Sequence, residues 1–341
     1  MRIGLIGAGR IGAFHAATLS RLPGVDDLVV TDVDPARAWT VAEELGIGLA
    51  PDLPQLFAAG LDGVVITAAT SAHAELIHRA LDAEVPVFCE KPVALDVPRT
   101  REVIAHATAA TVPVQIGFQR RFDAGYTRAR DAVRAGELGW IHTLRAVTAD
   151  ATPPPAAFIP TSGGMFRDVS IHDFDILRWV TGREVVSVFA DGGNLGEAFF
   201  AEAGDVDTAA ALLRLDDGAL ATVTACRYNG AGHDVRLEVC GSAGALVVGL
   251  DDRAALPTAE AHLSWQRAER PYQTFMERFE DAYVAELTRF TEVIADHLTS
   301  PCGPAEALEA LYVAEACDAS RRQGRPVRIE EIRETPEKTS S

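Results

Sequence analysis

The chain has 341 residues, 48% hydrophobic and 23% charged, a balance that suits about two globular domains and excludes disordered, collagen-like and disulfide-framed classes. Its formal charge of −18 repels phosphate backbones and anionic lipid, so neither nucleic acid nor membrane is expected as a partner.

Residues 1–119 alternate short apolar runs with helical patterns. The runs are RIGLI (2–6), DLVVT (27–31), GVVIT (63–67), VPVFC (85–89) and VPVQIG (112–117). Between them the periodicity predicts helices over about 11–21, 35–45, 72–83 and 96–110. Strands alternating with helices imply right-handed βαβ units and a parallel sheet buried on both faces. After residue 120 the rhythm changes. A helix at 123–135 leads to a strand near 140–149, a stiff Pro153-Pro154-Pro155 loop and a helix at about 168–181. Longer strands follow at 184–190, 207–216, 219–227, 234–240 and 244–249. Asp217-Gly218 marks a hairpin and Gly241 to Gly244 another turn. Two long helices, 274–298 and 304–323, and a last strand at 326–329 complete the fold. The expected class is α/β: an N-terminal Rossmann sheet, then an α+β domain with a large open, mostly antiparallel sheet. The expected domains are 1–120, 121–333 and a polar tail at 334–341. An open sheet with few helices needs a cover, which predicts a homo-oligomer.

Cysteines stand at 89, 226, 240, 302 and 317, an odd and widely spaced set with no C-x-x-C. That favours a reducing, cytoplasmic setting and argues against a zinc knuckle, so no metal is expected. No apolar run reaches about 18 residues, so no membrane-spanning helix is expected. The N-terminus carries regular glycines and no clean cleavage site, and reads as folded structure rather than a signal peptide.

The first strand runs into Gly7-Ala8-Gly9-Arg10-Ile11-Gly12, a G-x-G-x-x-G string with a helix pattern directly after it. Gly7 permits the tight turn, Gly9 lets the backbone approach a pyrophosphate, and Gly12 lets helix and strand pack closely. The helix N-terminus then offers N–H groups and its dipole to the phosphates. Asp32 follows the second strand, 20 residues past Gly12, where a carboxylate accepts from both ribose hydroxyls and repels a 2′-phosphate. The expected cofactor is NAD rather than NADP, with Arg10 able to offset part of that repulsion. The strand ending at Thr67 opens onto Thr70, Ser71 and His73. Thr70 and His73 can border the nicotinamide half, or Thr70 and Ser71 can simply cap a helix.

Only two lysines occur, Lys91 and Lys338, the second in the tail. A lysine amine can lose a proton where arginine effectively cannot. Lys91 stands in Cys89-Glu90-Lys91-Pro92, where it would project from a strand's carboxyl end into the crevice between domains. Glu90 and Lys91 point to opposite faces, and a cis bond before Pro92 suits a site of demanding geometry. Farther on, Asp168 and His172 stand four residues apart at a helix start and would share a face, the carboxylate holding the imidazole's tautomer. Asp173 and Asp175 compete with Asp168 as cap or partner.

Four pieces carry a resemblance: GAGRIG (7–12), CEKP (89–92), GFQRRFD (117–123) and GGMFRDVSIHDFD (163–175), with GRPVRI (324–329) in support. Over nearly its full length the chain resembles the Gfo/Idh/MocA oxidoreductases, and among them the inositol 2-dehydrogenases. The resemblance implies a Rossmann domain, a C-terminal domain with a large open sheet, and a tetramer or dimer. It places the family's catalytic lysine on Lys91, its substrate-binding aspartate on Asp168 and its catalytic histidine on His172. It sets Glu90 and Gln119 near the cofactor and Arg120 near the substrate, with Asp150 and Tyr283 lining a polyol pocket. A tyrosine-rich stretch common in inositol dehydrogenases reads here Ala231-Gly232-His233-Asp234, so a pocket tyrosine is either missing or replaced by His233.

The expected activity is NAD-dependent oxidation of a secondary hydroxyl on a cyclic polyol, myo-inositol first, to the 2-keto product. Alternatives are scyllo-inositol, an aminocyclitol or a sugar such as glucose on the same chemistry, an NAD-dependent glycosidase, and a non-catalytic NAD-binding sensor.

Overall fold

The computed structural model describes residues 1–260 and 268–334. Lys338 and all but the first residue of the expected tail lie outside them. The chain divides into two compact units. One is Met1–Gln119 with Asp281–Leu308; the other is Arg120–Glu280 with the residues from Glu309 on.

The first unit holds six parallel strands: β1 (Arg2–Ile6), β2 (Asp27–Thr31), β3 (Gly48–Leu49), β4 (Gly63–Ile66), β5 (Val87–Glu90) and β6 (Val114–Gly117), in the order β3-β2-β1-β4-β5-β6. This is the doubly wound sheet expected from the alternating runs. β1, β4 and β6 are almost wholly buried, as a parallel sheet covered on both faces requires. Helices Arg10–Leu19, Pro35–Leu45, Thr70–Asp82 and Val97–Ala109 match the predicted ones to within a turn. The second domain, expected unbroken over 121–333, is interrupted. Residues Asp281–Leu308 belong to the first unit, because Leu287 and Phe290 of the helix Glu280–Ala295 pack into a core with Ile3, Leu5 and Phe88. Periodicity marks that face as apolar but cannot say which sheet it covers.

The second unit is built on a seven-stranded sheet: β7 (Ile141–Ala149), β8 (Val185–Gly193), β9 (Thr208–Leu215), β10 (Leu220–Cys226), β11 (Asp234–Gly241), β12 (Ala245–Val248) and β13 (Val327–Arg328). Their order is β12-β11-β7-β10-β9-β8-β13. Only β7 and β10 pair in parallel; every other neighbouring pair is antiparallel. Gly218, at positive φ, closes the β9–β10 hairpin as its sequence predicts. One face buries Ala211, Leu213, Ala221, Val223, Leu237 and Val239. The other carries a cross-strand row in register, Phe189, Leu212, Thr222, Arg145, Glu238 and Val247. All of that row but the half-buried Glu238 are exposed.

Three of the predicted elements differ in form from expectation. The helix foreseen at 168–181 begins as a π-helical turn over Phe166–Ser170 and becomes α-helical at Ile171–Thr181. The helix foreseen at 274–298 breaks at Phe279 into Phe275–Arg278 and Glu280–Ala295. The last strand is short, and a helix Ile329–Arg333 follows it, where the Glu331 carboxylate accepts from the Arg328 N–H.

Candidate functional site

In the first unit the glycine loop joins β1 to the helix Arg10–Leu19. Gly7 has φ +102, and a Cβ there would lie 2.6 Å from the Ala68 nitrogen. A Cβ on Gly12 would lie 1.8 Å from the Gly7 carbonyl oxygen. Gly9 faces open space, and a Cβ there would meet nothing within 4 Å. So two glycines are demanded by the protein's own packing and the third leaves room for something outside it. Gly9 is also the N-cap and makes no side-chain cap bond, and Arg10 and Ile11 open the helix. Backbone donors at a helix start beside an open approach fit a pyrophosphate. Thr67 Oγ1 donates to the Gly7 carbonyl at 2.6 Å and ties the loop to the end of β4.

Asp32 follows β2 with its carboxylate turned back onto this loop. One oxygen accepts from the Ala8 N–H at 2.6 Å and the other from the Asp34 N–H at 2.8 Å. Each carboxylate oxygen keeps a second lone pair for a ribose hydroxyl. Arg37 stands 3.8 Å from it, an arginine near the ribose position that spacing alone does not single out.

One expected cofactor neighbour, His73, has structural partners of its own. His73 is buried, with Nδ1 2.8 Å from the Pro92 carbonyl and Nε2 3.0 Å from the Ala68 carbonyl, so it links two loops. Burial holds its pKa below the ordinary value, against the pull of those carbonyls. The helix Thr70–Asp82 is capped by Ala69 without any side-chain bond, so neither Thr70 nor Ser71 is its cap. Thr70, half-buried, opens the helix.

β5 runs into Glu90, Lys91 and Pro92, and the Lys91–Pro92 bond is cis. Glu90, expected near the cofactor, has its carboxylate against His15 Nε2 at 2.7 Å. Lys91 is half-buried at the strand's carboxyl end. Gln119 is buried at the start of the turn Gln119–Phe122. Tyr283, expected in a polyol pocket, is buried in this unit, edge-on to Phe14 and His15.

The second unit gathers most of the remaining residues. β7 and β10 run parallel with Ala149 opposite Cys226, which sets Asp150 beside Arg227. Arg227 Nη1 donates to Asp150 at 3.1 Å and Nη2 to Asp168 at 2.7 Å. His233 Nδ1 lies 3.4 Å from the other Asp150 oxygen. Burial pushes the Asp150 carboxyl up, but His233 and Arg227 outweigh it and hold the pKa below the ordinary aspartate value. Asp168 sits in the π-helical turn, a feature frequent at functional sites, and the half-buried His172 stands on the first turn of the α-helix after it.

Arg120 is enclosed rather than open to a ligand: it pairs with Asp173, donates to Thr148 at 2.9 Å and lies over the Phe279 ring. Asp173 therefore belongs to a buried ion pair, and Asp175 to another with Arg121. Neither caps the helix, whose N-cap is Ser170 with no side-chain bond. Arg227 is the residue that sequence reasoning misses. It lies 59 positions from Asp168, and its one local signal is its place just past a strand end.

A cleft of about 870 Å³ opens elsewhere in the first unit, among Met1, Asp62, Pro86, Pro113, His297 and Ser300. The first four of these each directly precede a strand, so the cleft lies at the strands' amino ends, away from the glycine loop and Lys91. Ligands of open α/β sheets bind at the carboxyl ends, and this cleft is not the cofactor site.

Residues 1–118 match the oxidoreductase family with an NAD-binding Rossmann fold, and residues 126–247 match the GFO/IDH/MocA C-terminal domain. A myo-inositol dehydrogenase of Streptomyces leeuwenhoekii is 39% identical over 95% of this chain and 98% of its own. The scyllo-inositol 2-dehydrogenase (NAD(+)) of Bacillus subtilis is 35% identical over 97% and 96%. The structure of a myo-inositol dehydrogenase from Corynebacterium glutamicum superposes with a TM-score of 0.88 at 34% identity, covering 96% of this chain and 98% of that one. That of the Lactobacillus casei scyllo-inositol dehydrogenase with bound NAD(H) and scyllo-inositol gives 0.87 at 29%, covering 97% and 99%.

Proposed function

As a member of the Gfo/Idh/MocA family the chain is an NAD-dependent oxidoreductase acting on CH–OH groups, and we propose that it oxidises myo-inositol to the 2-keto-inositol. The observation that carries a polyol reading is the fixed row Asp150–Arg227–Asp168. One buried guanidinium holds two carboxylates at set positions, and each keeps lone pairs that accept from hydroxyl groups. A polyol offers many hydroxyls, and fixed acceptors select among their orientations.

His172 takes the proton of the secondary hydroxyl as general base. Lys91 hydrogen-bonds the same oxygen and steadies its developing negative charge. Asp168 orients His172 or a neighbouring hydroxyl. Gly7, Gly9, Gly12 and Asp32 hold the cofactor, with Arg10, Ile11, Thr70 and Gln119 beside it. Bound NAD supplies the hydride acceptor at C4 of its nicotinamide. The acid–base step contributes about 10²–10⁴-fold, with positioning and charge stabilisation adding to it.

A second reading, scyllo-inositol, draws on the relatives that act on that isomer and on His233 standing where inositol dehydrogenases carry a tyrosine. The enzyme works as a homo-oligomer, a tetramer or dimer, that covers the row from Phe189 to Val247. It works in the cytoplasm, in keeping with five cysteines of which none is bridged. Among the described residues no helix is long and apolar enough to cross a membrane.

NADH absorbance with NAD or NADP against myo-inositol, scyllo-inositol and glucose tests this. Turnover with NAD and myo-inositol supports it. Turnover only with another ring moves the substrate and keeps the chemistry, and silence with NAD bound overturns it.

A further inference from the structure

His15, Glu90 and Glu286 bring one ring nitrogen and two carboxylate oxygens within 4.8 Å of one another. They come from three elements of the first unit: the helix Arg10–Leu19, the end of β5 and the helix Glu280–Ala295. Glu286 is fully buried, and neither of its carboxylate oxygens has a hydrogen-bond partner. Its surroundings are apolar: Leu287, Phe88 and Phe290 belong to the core beside it, and Tyr283 and Phe88 present ring edges to His15. Gln115 of β6 donates its Nε2 to the Glu286 backbone carbonyl. Glu90 lies over Gly117, where a Cβ would come within 3.2 Å of its carboxyl carbon.

We propose that Glu286 is a neutral carboxylic acid that shares its proton with the Glu90–His15 pair and thereby positions the strand end that carries Lys91. A buried carboxylate keeps its charge only when paired or hydrogen-bonded. The one member of the cluster that can be cationic, His15, is already bonded to Glu90. Desolvation, and next the charge of Glu90, push the Glu286 carboxyl well above the ordinary range. A protonated carboxyl is a donor, and the Glu90 carboxylate lies within 4.8 Å of it. The spacing within this cluster suits a shared proton and not a divalent cation. Two ligands about 2.0–2.1 Å from one tetrahedral zinc lie well over 3 Å apart, whereas His15 Nε2 and Glu90 Oε1 are 2.7 Å apart, a hydrogen-bond distance. Glu286 therefore reaches Lys91 through one intermediary, the residue before it in the chain.

The role of Lys91 rests on the proposed function; the protonation of Glu286 does not. Infrared difference spectra of the NAD-loaded chain at mildly alkaline pH, wild type minus Glu286→Gln, read it without turnover. The expected result is a protonated-carboxyl C=O band in the wild type that vanishes in the variant. No band, a band that survives the substitution, or one erased by a single equivalent of zinc overturns the proposal. The positioning role is read from the pH–rate profile. Glu286→Gln, a neutral isostere, keeps the wild-type profile. Glu286→Leu lowers kcat about tenfold to a hundredfold, as misplacement of a catalytic group does, and shifts the profile while KM for NAD holds. Equal losses in both variants with an unmoved profile would reduce Glu286 to packing.

Discussion

Asp150 and Arg227 each stand one residue past the end of two parallel neighbouring strands, and their side chains meet at 3.1 Å. Among the described residues, the only parallel pairing in the second unit's sheet is what sets them side by side, because antiparallel strands would end at opposite edges. Arg227 then spans to Asp168 in the π-helical turn. Removing one partner of a buried ion pair is costly because the others are left uncompensated. Arg227→Met should lower unfolding free energy by about 3 kcal/mol, near the low end because both carboxylates keep some solvent. Asp150→Asn in that background should restore part of it. A thermal-unfolding double-mutant cycle measures the coupling, and simple additivity would show that the pair is not coupled.

The same pair sets an acid limb to stability. The folded-state pKa of Asp150 is depressed, with burial opposing and the His233 and Arg227 contacts prevailing. A depressed carboxyl contributes stability that is present above its unfolded pKa and lost as pH falls through the folded value. Asp150→Asn should therefore show a constant deficit at neutral pH that narrows in the acid range below the ordinary aspartate pKa. A deficit independent of pH down to that range would sink the linkage.

Much of this site is local in sequence and some of it is not. Gly7, Gly9, Gly12 and Asp32 are legible because a dinucleotide loop demands its glycines at fixed spacing and its acid at the next strand end. The short helix Leu53–Phe57 is hidden because Pro54 and the neighbouring Asp52 resemble a turn; Asp52 is in fact its N-cap. Asp173 and Asp175 are indistinguishable from Asp168 by type and spacing. Burial separates them, since both are sealed against Arg120 and Arg121. The spacing argument places Asp168 and His172 on one helical face, but the turn is π-helical there, with a longer repeat. Tyr283, expected in a pocket, packs in the first unit's core because the helix carrying it returns to the other sheet.

Lys91→Met and His172→Ala should each lower kcat/KM by at least about 10²-fold while NAD still binds. Tryptophan fluorescence or calorimetry reads the binding, and NADH absorbance the rate. Near-normal turnover in either variant removes that residue from the chemistry. The variant whose pH–rate profile loses its acid limb, where the rate falls as the base becomes protonated, identifies the proton acceptor.

Asp32→Ala should raise KM for NAD by about tenfold or more, losing at least one charge-assisted bond, and narrow the preference over NADP, since Arg37 remains beside the vacated position. The Ala8 N–H would also lose its acceptor, so the loop itself loosens. Steady-state kinetics with both cofactors separates the two effects. A uniform rise in both KM values would indicate loop damage alone. Gly12→Ala is the sharper control, because its methyl would sit 1.8 Å from the Gly7 carbonyl oxygen, and it should abolish binding of either cofactor.

The open sheet face provides the last test. Leu212 is 46% exposed and Phe189 44%, adjacent in register on neighbouring strands, with Thr222 next on β10. A contiguous exposed apolar patch marks an interaction surface, and a flat, self-complementary sheet face suits a two-fold partner. Leu212→Asp puts a charge beside Phe189 on that surface and leaves the buried face untouched. Light scattering at fixed protein concentration should show the variant at a smaller assembly than the wild type, with its secondary structure by circular dichroism unchanged. An unchanged mass would move the interface to another surface. A monomeric wild type would leave the row from Phe189 to Val247 as an open face. In a true assembly the smaller species should also melt earlier, because burial against a partner stabilises the folded state by mass action.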